Sequence, residues 1–179
     1  MEKTEERRRV IVGKIADHLL ECGMKGSSLR PLAAAAGISD RMLLHYFRDK
    51  EEVMTAALHL IAVRMINLLE SARSAPMPFQ VLMPHLVGMR QDSHIRPYLR
   101  LWLELAALSA SGEEPYRQIV RQISDHFYAW LATELQVKTE DERSKMAALA
   151  FVIIEGCVFL DAIGENPIIA KAMEEMTAQ

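Results

Sequence analysis

The chain has 179 residues, half of them hydrophobic but only 6% aromatic, with 8 glycines and a net charge of −3. That length allows one sizeable core or a small domain joined to a larger one, and the abundance of Leu, Ala and Met with little glycine favours helices. No apolar run approaches the ~18 residues that a membrane helix needs, and the N-terminus, MEKTEERRRV, mixes both charge signs without an apolar stretch, so a soluble, cytoplasmic protein with no membrane partner is expected. Charge is unevenly spread: residues 1–50 sum to +3 and the remainder to −6. Such a split fits a nucleic-acid-facing end on an acidic body, and it also fits ordinary surface variation.

Glu2 to Cys22 reads as a first helix, with Ile11, Ile15 and Leu19 spaced by four on one face and Gly23 as its stop. Arg7, Arg8 and Arg9 near its start suit either phosphate contacts or a solvated face paired with Glu5 and Glu6. The next stretch, Ser27 to Lys50, reads SSLRPLAAAAGISDRMLLHYFRDK. Its first helix begins near Ser28, capped by Ser27 or Ser28, with Pro31 in the first turn where a missing N–H is tolerated. Ala33 and Ala36 are small enough for a steep helix crossing, and Gly37 follows where the chain must turn with positive φ. Ser39 is a good N-cap for a second short helix in which Leu43 and Phe47 pack down, leaving Asp40, Arg41, Leu44 and His45 outward. Asp49 with Glu52 looks like a capping box, so a new helix starts at about Lys50.

That helix carries Val53, Ala57, Ile61, Met65 and Leu68 at spacings of three and four to about Ser71, roughly 30 Å at 1.5 Å per residue. The segment Ser74-Ala75-Pro76-Met77-Pro78 ends it. Phe79 to Gln91 resumes the helical pattern, with a kink or break expected at Pro84. Asp92-Ser93 offers a cap for a helix to about Ser111 with Leu99, Trp102, Leu105 and Ala106 facing in. After Gly112, Glu113 opens a long helix to about Leu135, its apolar face carried by Ile119, Ile123, Phe127, Trp130 and Leu131. Thr139 with Glu142 is a second capping box, opening a strongly apolar helix from Glu140 to Ile163 that stops at Gly164. Asn166-Pro167 caps a last short helix. No strand alternation appears, so the chain is predicted to be all-α.

The motif residues carry a specific resemblance. Ser27-Ser28, Leu32-Ala33, Ala36-Gly37-Ile38-Ser39, Leu43, Phe47 and Lys50-Glu51 form a gapless pattern that resembles the TetR family of transcriptional regulators. Two residues depart from it: Arg41 stands where a glycine is common, and Leu44 where the family usually has a backbone-contacting tyrosine. The resemblance implies a three-helix, helix-turn-helix head at residues 1–49. The long helix then joins it to a helical dimerisation and effector-binding body at 50–179. It further implies a ligand-responsive regulator, a repressor, that binds palindromic double-stranded operator DNA as a homodimer. Resemblance and the outward helical face together nominate Ser28, Arg30, Ser39, Arg41, Met42, His45, Tyr46 and Lys50 for DNA, with Arg41 the best base reader. The helices Glu113–Leu135 and Glu140–Ile163 match the family's four-helix dimer interface, where the nearly all-apolar FVIIEGCVFL places Gly156 for close approach.

For the effector, an unknown small and largely apolar molecule, the large or adaptable side chains Met65, Met89, Trp102, Phe127, Trp130 and Phe151 are nominated, with His94, Glu104, His126 and Glu155 as polar anchors. Enzyme chemistry and cofactors find no footing. The six histidines form no HExxH or other metal spacing, and no phosphate-binding, dinucleotide or nucleophile-elbow motif occurs. Cys22 and Cys157, also without metal-like spacing, sit in apolar helical patterns and are expected to be buried thiols. A helical dimeric scaffold that has lost DNA binding is the alternative, motivated by Asp40 and Leu44 on the outward face.

Overall fold

The computed structural model describes residues 2–72 and 75–178; Ser74, expected in the helix-ending segment, lies outside them. Among the described residues the regular structure is α-helical apart from one 3-10 turn, Gly23–Gly26, and an isolated bridge between Met77 and Leu135. The helices are α1 Glu2–Cys22, α2 Leu29–Ala36, α3 Asp40–Tyr46, α4 Lys50–Ser71, α5 Phe79–Met89, α6 Arg96–Ala110, α7 Glu114–Glu134, α8 Glu140–Ala162 and α9 Asn166–Ala178. The chain divides into two compact units, one made of the segment up to Met65 together with Arg100–Val120, the other of Ile66–Leu99 and the segment from Arg121 onward.

The first unit is built on the spacing-of-four ridge of α1. Ile11, Ile15 and Leu19 are fully buried, as are Leu32 and Ala33 of α2, Leu43 of α3, and Val53, Ala57, Leu58 and Ala62 of α4. Each fully buried Leu, Ile or Val side chain contributes about 1.5–3 kcal/mol, which is why the two short helices α2 and α3 hold their places. The part of α6 in this unit, from Arg100 onward, is anchored by polar groups as well. Arg100 Nη2 donates to the carbonyls of Leu20 at 2.5 Å and Glu21 at 2.8 Å, satisfying the last turn of α1, and the Glu104 carboxylate accepts the N–H of Met24. Gly23, at φ 69°, has no Cβ to collide with that carboxylate. This clasp sets the rotation of α6, so Leu101 and Leu105 face the core, whereas Leu99, Trp102 and Ala106, expected inside, are half-buried.

In the second unit α5 packs on α8 and α9. Arg90 ties the three together: Nη1 donates to Val87 O at 2.6 Å, Nη2 to Asn166 Oδ1 at 3.0 Å, and Nε lies 3.5 Å from Asp161. Arg143 closes the end of α7 by donating to the carbonyls of Ala132 and Leu135.

Two further expectations need correction and one holds. Pro84 does not break α5 into two pieces, and the carbonyl that it leaves without a helical partner belongs to Gln80, an exposed residue. Asp92 does cap the turn that leads into α6, its carboxylate accepting the His94 N–H at 2.7 Å and its carbonyl those of Ile95 and Arg96, and the α-helix proper begins at Arg96. Cys22 is exposed, being the last residue of α1 just where the chain leaves the core, while Cys157 is buried as expected and its thiol is pushed up by that burial.

Candidate nucleic-acid interface

The turn between α2 and α3 is fixed by backbone chemistry. Gly37 sits at φ 72° and ψ 33°; its N–H donates to Ala34 O and the Ile38 N–H to Ala33 O, both at 3.0 Å. These two bonds satisfy the orphan carbonyls of α2 in a Schellman motif, which demands the left-handed residue that glycine supplies. Ser39 then caps α3, its Oγ accepting the Met42 N–H at 3.2 Å. With Leu43 fully buried and Phe47 nearly so, Arg41, Met42, Leu44 and His45 are all left exposed, and Ser39, Arg41, Met42, Leu44 and His45 border a shallow open depression.

Around that face lie the other nominated residues. Ser28 occupies the N-cap position of α2 but makes no side-chain cap bond; it is exposed, as are Arg30 and Lys50. Tyr46 is half-buried, edge-on to His45 with ring centroids 5.5 Å apart. Asp40 is half-buried at the start of α3.

What holds this face in place was only partly visible in the sequence. The capping box at α4 forms, with the Asp49 carboxylate accepting the Glu52 N–H at 2.8 Å, but the Glu52 carboxylate reaches back one residue further than the usual box, to the Arg48 N–H at 2.8 Å. Its other oxygen pairs with Arg8 Nη2 at 2.6 Å, and the Arg8 guanidinium lies 4.7 Å over the Phe47 ring. Arg8 therefore pairs with Glu52 rather than with Glu5 or Glu6, and it clamps α1 onto the end of α3. Periodicity could have singled it out, since Arg8, Ile11, Ile15 and Leu19 follow spacings of three and four. Asp49 is held below its ordinary value chiefly by the hydrogen bond from the Arg48 side chain, then by the Glu52 N–H. Arg48 Nε lies 2.8 Å from Asp49 in that pair, with the guanidinium largely exposed.

The residues nominated for an effector fall into both units. Met65 and Trp102 belong to the first and are half-buried. In the second, Phe127 and Trp130 are stacked at 5.9 Å with 14° between planes, and Phe127 lies 5.7 Å from Phe151. Trp130 is 3% exposed and its indole N–H, Nε1, has no hydrogen-bond partner. His126 lies 3.8 Å from Glu70, Met89 and Glu155 are half-buried, and His94 is exposed in the turn before α6. Glu104 is occupied by the α1–α6 clasp.

The sequence pattern described as bacterial regulatory proteins, tetR family, matches residues 16–57, which include the two short helices and the turn just described. The HTH-type transcriptional regulator BetI of Yersinia pestis is 26% identical over 167 residues, covering 89% of this chain and 83% of that protein; BetI of Pseudomonas aeruginosa is 25% identical over 154 residues, covering 82% and 77%. Residues 16–57 are a TetR-family DNA-binding domain. The chain is similar over most of its length to DNA-binding transcriptional regulators, which are not enzymes, and its fold is all-α with an N-terminal helix-turn-helix. The TetR-family fold extends through the whole chain. A TetR-family regulator from Cytophaga hutchinsonii superposes with a TM-score of 0.76 at 16% identity, covering 99% of this chain and 94% of its own. The multidrug-binding protein EbrR, solved with proflavin, gives 0.70 at 20% identity, covering 96% and 98%.

Proposed function

We propose that this protein is a cytoplasmic repressor of the TetR family that binds a near-palindromic operator as a two-fold dimer and is released by a small, largely apolar effector. Residues 1–49 form the DNA-binding head in this reading, and residues 50–179 the dimerisation and effector-binding body. The observation that carries it is the outward side of α3, a short helix clamped at both ends that leaves Arg41, Met42, Leu44 and His45 exposed. Arg41 is assigned to base reading, since a guanidinium pairs bidentately with guanine N7 and O6. Ser28, Arg30, Ser39, Tyr46 and Lys50 position the DNA backbone, with Met42 and His45 beside the bases. Arg41→Ala should cost about 1–3 kcal/mol and relax specificity at one base pair, while Lys50→Ala should weaken all sequences alike and lower the salt slope by about one. An Arg41→Ala protein with unchanged operator preference would contradict the assignment.

Dimerisation is assigned to the exposed side of α8, together with α7. Leu149, Val152, Gly156, Phe159 and Ile163 recur there at spacings of three and four, and Val152 is 69% exposed although α8 buries Ala147, Ala150, Ile154 and Cys157 on its other side. A helix apolar on both sides is built to be covered on both. The effector site is assigned to Phe127, Trp130 and Phe151, with Met89, His126 and Glu155 as further contacts. A buried indole N–H without a partner costs stability that a ligand acceptor oxygen would recover, so the effector is read as apolar with one such oxygen. EbrR with proflavin and Bacillus subtilis FadR with stearoyl-CoA are proteins of this fold solved with ligands of unlike shape, which supports an adaptable site. By linkage, any effector must bind more weakly in the presence of operator by the factor that it weakens DNA binding. Equal affinity with and without operator would contradict a regulatory role.

A further inference from the structure

Two of the exposed side chains on α3 are large and apolar: Met42 is 45% and Leu44 44% exposed. Both border the depression that also includes Arg41 and His45. Lone exposed apolar residues are ordinary, but these two stand on a seven-residue helix whose position is fixed by the Ser39 cap before it and the Asp49–Glu52 cap after it. They are held where the protein meets DNA, and neither can hydrogen-bond a phosphate.

We infer that Leu44 is a specificity-determining residue that reads the C5-methyl group of a thymine in the major groove, with Met42 as a second apolar contact. Thymine's methyl is the one apolar group that base edges present there, so it is the chemistry that a leucine in that position can recognise. Asp40, four residues earlier and so on the same side of α3 as Leu44, points the same way. A carboxylate repels phosphate, which turns this side of the helix toward base edges and away from the backbone. The operator is then expected to place a thymine beside the base pair read by Arg41, since Arg41 and Leu44 are three apart and adjacent on the helix surface.

The inference rests on α3 being the base-reading helix, and the experiment separates the two claims. Full-length protein selects a site from random duplex DNA, and each thymine of that site is then replaced in turn by deoxyuridine, which pairs identically but lacks the methyl. Affinity is measured for the wild type, Leu44→Ala and Arg41→Ala, each shown to be folded by its thermal transition; Leu44 is exposed, so its truncation leaves the core intact. One deoxyuridine position per half-site should weaken the wild type about four-fold, the equivalent of ~0.8 kcal/mol for one methyl-sized contact. Leu44→Ala should bind the thymine and deoxyuridine versions of that site equally. If Arg41→Ala relaxes a base pair but no deoxyuridine position distinguishes the wild type from Leu44→Ala, the thymine-reading claim is overturned and α3 remains the reading helix. If the wild type selects no preferred sequence, or neither variant changes the preference, both claims fall.

Discussion

Glu52 serves three groups at once. One carboxylate oxygen pairs with Arg8, the other accepts the Arg48 N–H, and its own N–H is bound by Asp49, so one side chain joins α1, the end of α3 and the start of α4. Glu52→Gln keeps the shape but removes the charge, and should lower unfolding free energy in urea by about 1 kcal/mol, a value between an exposed ion pair and a charge-assisted hydrogen bond. A change within error would mean that Arg8 is held by Phe47 alone. Asp49 adds a pH dependence. Its folded-state pKa is depressed, so its contribution is fully present above the ordinary carboxylate value of about 3.9 and is lost as pH falls through the lower folded value. Urea transitions of the wild type and Asp49→Asn should therefore differ by a constant amount from pH 5 to 7 and converge in the acid range. Neither residue stands out in sequence beyond its place in a capping box, because the Arg8 partnership spans 44 positions and leaves no local pattern.

The helices themselves were legible wherever one face alternates with a cap. The starts of α4 and α8 follow from Asp49–Glu52 and Thr139–Glu142, and the end of α2 from Gly37, because each signal is a local bond between groups at most five residues apart. The rotation of α6 was not legible, because it is set by Arg100 and Glu104 reaching residues about 80 positions away. Nor was the fate of α8 settled by pattern alone: a helix apolar all round says that it is covered, not by what. With Leu149, Val152, Phe159 and Ile163 exposed, the uncovered side becomes specific. Gly156 lies on that side with nothing within 4 Å of where a Cβ would stand, so Gly156→Leu should leave the subunit folded yet push two copies apart. Sedimentation is the check: the wild type should be a dimer at micromolar concentration and Gly156→Leu a monomer with an unchanged helical spectrum. A dimeric variant would place the interface elsewhere.

At the level of the whole molecule, the residues proposed to read bases lie on a helix of only seven residues, too small a surface for one subunit to select a site tightly. In the proposed function two copies related by a two-fold axis would read two half-sites, and the spacing of those half-sites would be the quantity that an effector changes. The helix α4, which starts in the cap beside α3 and runs 22 residues, is the element proposed to carry that change. The measurement that tests this account most directly is selection from random duplex DNA by the full-length protein, followed by sequencing of what it retains. The account predicts a near-palindrome whose half-site centres lie one helical turn, about 34–36 Å, or a multiple of that apart. Retention of a single asymmetric site, or of no preferred sequence, would contradict it.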